Sequence, residues 1–135
     1  MGNKYIDSSI FIQGILRSDN NCKNIVLKIA KREFTGVTSV LSWDEVTFIT
    51  KKFLGKDQAK IEGDKFFKLP NFIFVDAKKN VVLKAQKLFE KYSLNPRDAI
   101  HIATALSQGC VEIISDDSDF DKLEEIKRIP PDNLK

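Results

Sequence analysis

Short apolar segments that read as strands alternate along this chain with longer segments of helical periodicity, and that alternation narrows the fold more than any other feature. The strand segments are Lys4-Tyr5-Ile6, Gly36-Val37-Thr38, Phe72-Ile73-Phe74-Val75 and Val111-Glu112-Ile113-Ile114, with a last short one over Ile126 to Ile129. Phe72 to Val75 is apolar on both faces, which predicts a buried parallel strand. Helices fill the intervals. One opens at Ser8-Ser9, whose hydroxyls suit a cap. Others run from about Cys22 to Phe34, from Ser39 to Phe53, from about Lys56 to Leu69 before Pro70, and from Ala77 to Lys91. In the last of these Val81, Ala85, Leu88 and Phe89 form one apolar stripe. Asn95-Pro96 stands in the favoured order for a helix start, and Gly109 ends that helix. Strands alternating with helices imply the α/β class: a three-layer α/β/α sandwich around a small, mostly parallel central sheet. No repeat, low-complexity tract or linker divides the chain, and its 135 residues suit a single domain spanning 1–135.

Composition removes several function classes. Apolar residues make up 42% and charged residues 30%, as in a soluble globular domain. The apolar runs are too short for a membrane-spanning helix. Asp7 falls where a signal peptide needs its apolar stretch, so a cytoplasmic protein is expected, with no membrane partner. The formal charge of +3 is only mildly basic and selects no partner by itself. Cys22 and Cys110 lie far apart, with neither zinc-site spacing nor a disulfide framework, and read as reduced, packed thiols. The single histidine, His101, excludes His-rich metal sites. Trp43 and the ten Phe residues are expected in the core, with Phe66-Phe67 as candidates for a dimer interface.

The acids are placed more tellingly. Ligands of open α/β sheets bind beyond the carboxyl ends of the strands. Asp7 ends the first strand segment and Asp117 follows the Val111 to Ile114 segment almost at once, so both reach the same rim. Each also has a local reading, Asp7 as a helix cap and Asp116 to Asp119 as a solvated turn. Glu45 shares a helical stripe with Leu41, Phe48 and Ile49, which turns it toward the core unless it sits at the stripe's edge and reaches water. Its neighbour Asp44 points elsewhere, near Lys51. A carboxylate in the core needs a cation or hydrogen-bond donors, or it takes up a proton. Asp98 is the third helical residue after Asn95, where acids are common for local reasons. Ile102 and Ala105 flank it on the helical wheel and turn it toward the sheet.

Four acids in one pocket repel one another and raise one another's pKa unless a cation neutralises them. Carboxylate oxygens suit the hard ions Mg²⁺ and Mn²⁺ rather than zinc, and such an ion suits phosphodiester hydrolysis. Asp7, Glu45, Asp98 and Asp117 are therefore the candidate metal ligands and catalytic groups. An acidic pocket needs positive flanks to hold a polyanion, which makes Arg97, Lys51 and Lys52 candidates for meeting substrate phosphates; solvated helix faces explain them equally well. His101 lies one turn after Asp98 and reads as a hydrogen-bonding or packing residue, since a metal mechanism needs no imidazole base.

Tyr5-Ile6-Asp7-Ser8-Ser9, Ser42-Trp43-Asp44-Glu45-Val46, Arg97-Asp98-Ala99-Ile100-His101-Ile102-Ala103-Thr104-Ala105 and Ile114-Ser115-Asp116-Asp117-Ser118-Asp119-Phe120 resemble PIN-domain nucleases, especially VapC-type toxins of toxin–antitoxin pairs. The order and separation of these segments cover nearly the whole chain, and the Asp98 and Asp117 segments are the specific ones. The resemblance implies a Mg²⁺- or Mn²⁺-dependent endoribonuclease whose acids fall on Asp7, Glu45, Asp98 and Asp117. It makes Asp119 an auxiliary acid, leaves Asp116 in a variable slot, and matches Ser115 to the family's small hydroxyl residue. Ser9 stands where many members carry Asn, a departure that bears on the support of Asp7. An RNA substrate, a cognate antitoxin and a homodimer are implied as partners. The rival reading keeps the acids without turnover, as a non-catalytic PIN-like RNA-binding or scaffold protein. A phosphoaspartate phosphatase is disfavoured because Ser9 stands where its second Asp belongs, and a response-regulator receiver because no late Lys at a strand end is evident.

Overall fold

In the computed structural model, which describes residues 2–134, the chain runs β1 (Asn3–Ile6), α1 (Ser8–Leu16), α2 (Asn20–Ala30), β2 (Thr35–Ser39), α3 (Leu41–Leu54) and α4 (Lys56–Phe66). It continues through β3 (Phe72–Val75), α5 (Lys79–Lys91), α6 (Pro96–Ser107), β4 (Glu112–Ile114), a 3-10 turn over Ser118–Lys122, and β5 (Lys127–Ile129). The strands form one five-stranded sheet in the order β3-β2-β1-β4-β5, with every pairing parallel. Tyr5 of β1 stands opposite Val37 of β2 on one side and Ile113 of β4 on the other. The chain adds β2 and β3 on one side of β1, then crosses over to add β4 and β5 on the other. The sheet therefore has its switch of direction between β1 and β4, the position where ligands bind in such folds.

Side chains of successive strand residues alternate between the faces, which builds two cores from a few residues each. Tyr5, Val37 and Ile113 pack with Val81, Ala85 and Leu88 of α5 and with Ala99, Ile102 and Ala103 of α6. Ile6 and Ile114 pack on the other face with residues of α1 and α2, together with Val46 of α3 and Phe66 of α4. The α/β/α sandwich expected from the sequence is thus present, with the sheet wholly parallel.

Three expectations are corrected. β3 is not buried on both faces: it is the sheet's edge, paired only with β2, and Ile73 is 41% exposed. An apolar tetrapeptide does not reveal where its strand falls in the sheet order. Trp43 and several Phe residues are not core; Phe48 and Phe53 are 57% and 62% exposed, and Phe67 and Phe89 are also exposed. The buried line of α3 is Ser42, Val46 and Thr50 rather than its largest side chains. Finally, the Ser8 and Ser9 hydroxyls do not cap α1; Asp7 occupies the cap position and both serines bond elsewhere. Both cysteines are buried and free, as expected. Among the described residues no helix is long and apolar enough to cross a membrane.

Candidate active site

The site grows from the carboxyl ends of the two central strands. Asp7 follows β1 directly and its backbone N–H donates to the Ile114 carbonyl at 3.0 Å, so it stands beside Ser115, the first residue beyond β4. Both are buried. Ser115 Oγ donates to Asp7 Oδ2 at 2.8 Å and accepts from the Asp117 backbone N–H at 3.0 Å. One buried hydroxyl thereby joins the first acid to the loop that carries the fourth. Ser9 Oγ adds a second tie by accepting from the Asp116 N–H at 3.2 Å. Asp117 Oδ1 accepts from the Asp119 N–H at 2.9 Å and caps the 3-10 turn. Asp119 lends this arrangement its backbone, while its side chain is exposed.

Glu45 reaches the same rim from α3, its side chain 16% exposed. Its stripe is not the one drawn on the wheel, since Phe48 points to solvent. It is nonetheless a nearly buried carboxylate, and it has the donors that burial demands. Ser8 Oγ donates to Oε2 at 3.0 Å, and His101 Nε2 makes a short hydrogen bond to Oε1. Burial pushes the Glu45 carboxyl upward, but the bonds from His101 and Ser8 and the charge of Arg97 outweigh it and hold the group below its ordinary value. Burial likewise opposes charge on His101, yet the bond to Glu45 and the charges of Asp7, Glu45 and Asp98 raise its pKa.

Asp98, half-buried on the first turn of α6, is the contrast. It takes no side-chain hydrogen bond among the described residues, not even the local one to the helix cap that its position allows. Burial comes first, then the charges of Asp7 and Asp117, and finally Glu45; together they push it from 3.8 up to about 6, against a smaller opposing effect of His101. Asp7, Asp117 and Glu45 are thus each near enough to Asp98 for their charge to act on it.

The family model of the PIN domain matches residues 4–126. The chain belongs to the PIN-domain family. Solved structures agree on the fold of this PIN domain. A DNA-bound VapBC from Salmonella typhimurium superposes with a TM-score of 0.77 at 13% identity, covering 97% of this chain and 99% of that one. A toxin–antitoxin complex from Klebsiella pneumoniae gives 0.70 at 20% identity, with 97% and 99% covered. VapC20 from Mycobacterium tuberculosis, a toxin described as cleaving the sarcin-ricin loop, gives 0.73 at 13% identity, with 91% and 96% covered. No curated protein matches the sequence.

The PIN domain thus brings Asp7, Glu45, Asp98, Asp117 and Ser115 to one rim. Arg97 lies at its edge, exposed, with Nη2 at 3.5 Å from Asp44 Oδ2; Asp44 therefore pairs with Arg97 rather than with Lys51. Lys51 and Lys52 are exposed at the far end of α3. Among the described residues, no three His, Cys, Asp or Glu side chains stand close enough together to hold a metal ion as they are. Asp7 is drawn to Ser115, and Glu45 to Ser8 and His101, so the carboxylates border one space without closing on a shared point. The donor chemistry still fits a hard divalent cation. It consists of carboxylate oxygens only, and among the described residues no side-chain hydrogen bond to Asp98 offsets its charge.

Three supporting residues escaped the sequence reading. Ser8 and Tyr5 act through partners remote in sequence. Arg128 clamps the Asp117 loop: its Nη1 donates to the Ser115 carbonyl at 3.0 Å, and its Nε and Nη2 grip Asp121 at 2.7 and 3.0 Å. Only Ser8 carried a signal, as a hydroxyl next to a candidate acid.

Proposed function

We propose that this PIN domain is a Mg²⁺- or Mn²⁺-dependent endoribonuclease, the toxin of a toxin–antitoxin pair. The observation that carries the reading is the half-buried Asp98, which has Asp7, Asp117 and Glu45 near enough to oppose its charge and takes no side-chain hydrogen bond among the described residues to offset it. A bound cation would offset that charge in the ionised state. Asp7 and Asp98 would hold the principal ion, with Glu45 and Asp117 completing the pocket or engaging a second one. When bound, the ion supplies charge neutralisation at a phosphodiester and a water more acidic than bulk. Around it, Ser115 holds one oxygen of Asp7, Ser8 and His101 fix Glu45, and Arg97 at the exposed edge meets phosphate. The antitoxin partner is supported by the solved relatives that are toxin–antitoxin complexes. A homodimer and a cytoplasmic setting belong to the same proposal. The exposed aromatic side chains of α3 and α4 are surface that a second copy would cover.

The test is cleavage of labelled RNA by purified protein with Mg²⁺, Mn²⁺ or EDTA. Cleavage is expected with either metal and none with EDTA. Asp7→Asn and Asp98→Asn each lose more than about 100-fold, beyond what supporting residues of metal sites contribute, while their circular dichroism stays that of the wild type. Undiminished cleavage by both variants removes the proposal. The open spacing of the carboxylates favours one rival, a non-catalytic RNA-binding or scaffold protein. That rival predicts RNA binding in EDTA and no turnover in metal.

A further inference from the structure

We propose that His101, itself held by Tyr5, is a positioning residue for Glu45, setting the direction in which that carboxylate faces the acidic pocket; this rests on the nuclease reading above. The imidazole is fully buried, and both of its nitrogens are engaged by residues distant in sequence. Nδ1 lies 2.6 Å from the Tyr5 hydroxyl in β1, and Nε2 bonds Glu45 Oε1 in α3. The Tyr5 oxygen also accepts from the Ser39 backbone N–H at 3.1 Å, at the end of β2. An ionised carboxylate only accepts, so the bond to Glu45 requires a proton on Nε2, and in the neutral imidazole Nδ1 then accepts from the Tyr5 hydroxyl. In the charged form Nε2 bears a proton as well. Glu45 therefore meets an N–H in either state.

The chain of donors starts on rigid backbone and ends on a carboxylate of the pocket. Ser8 Oγ holds the second oxygen of Glu45 from α1, at 3.0 Å. With one donor on each oxygen, from α1 and α6, the carboxylate plane is fixed, whereas Asp98 has no such side-chain support among the described residues. A leucine at position 101 would fill much of the same space. What the imidazole adds is a directed N–H, the kind of support that orients the ligands of metal sites.

The experiment compares wild type, His101→Leu, His101→Gln and Tyr5→Phe by three measurements: Mn²⁺ affinity by calorimetry, cleavage of a random-sequence labelled RNA pool, and imidazole ¹⁵N NMR of the metal-free protein. Glutamine reaches about as far as Nε2 and keeps an N–H donor. His101→Leu is expected to lose about 10- to 100-fold in Mn²⁺ affinity and in rate, and His101→Gln to recover most of both. The wild-type spectrum shows the Nε2–H form, and Tyr5→Phe weakens that preference together with Mn²⁺ affinity. A folded His101→Leu protein that binds Mn²⁺ and cleaves like wild type overturns the proposal. If that variant does not fold, an unrescued His101→Gln, or a Tyr5→Phe protein with an altered tautomer and unchanged Mn²⁺ affinity, overturns it instead. A wild type that neither binds Mn²⁺ nor cleaves RNA, while its imidazole still shows the Nε2–H form, removes the nuclease reading and leaves the hydrogen bond as architecture alone.

Discussion

Asp98 and Glu45 have the same chemistry and opposite environments. Glu45 receives two side-chain donors, whereas Asp98 receives none among the described residues and is flanked by other acids. The consequence is a dependence on pH. Asp98 titrates at 3.8 when free of the fold and at about 6 within it, so between these values the folded state binds the proton more tightly. Its contribution therefore grows less favourable as pH rises from about 4 to 6, and the penalty is present in full above that range. In EDTA near pH 7.5, Asp98→Asn is expected to melt above wild type. Because part of the group is open to solvent, the gain is on the order of 1 kcal/mol, about 3 °C, and it shrinks near pH 4. Melting curves check this, and a wild type as stable as the variant near pH 7.5 contradicts it. At this scale the sequence was half legible. The positions of Asp7, Asp98 and Asp117 followed from strand ends and a helix start. The donors of Glu45 did not, because Ser8 and His101 come from α1 and α6.

Elements were easier to read than their surroundings. The strand segments and the six helices lie close to where apolar periodicity puts them, with ends shifted by a few residues. What periodicity does not give is which helix face is buried or which strand lies at the sheet's edge. α3 packs through Ser42, Val46 and Thr50 because small residues allow close approach there, leaving Phe48 and Phe53 outside. Close approach also explains Gly36 in β2. A methyl group there would come within 2.6 Å of the Phe72 ring in β3 and 2.9 Å of Ile29 Cδ1 in α2. Gly36→Ala therefore forces the edge strand and α2 apart and is expected to cost about 2 kcal/mol in urea unfolding. An unchanged midpoint would mean that these neighbours relax freely.

Over the whole molecule, the strand order creates the site. β1 lies between β2 and β4, and the crossover that brings β4 beside β1 sets Asp7 next to Ser115 and the Asp117 loop. α3 and α6 then bring Glu45 and Asp98 to the same rim. Alternating strands and helices gave the α/β class, but the order of the strands is a long-range property that no local pattern carries. We propose that this rim gathers its carboxylates to grip a divalent ion. Anomalous diffraction from crystals soaked in Mn²⁺ tests it most directly. A peak touching the carboxylates of Asp7 and Asp98 is expected; Mn²⁺ bound only elsewhere, or no peak at that rim, would contradict the proposed site.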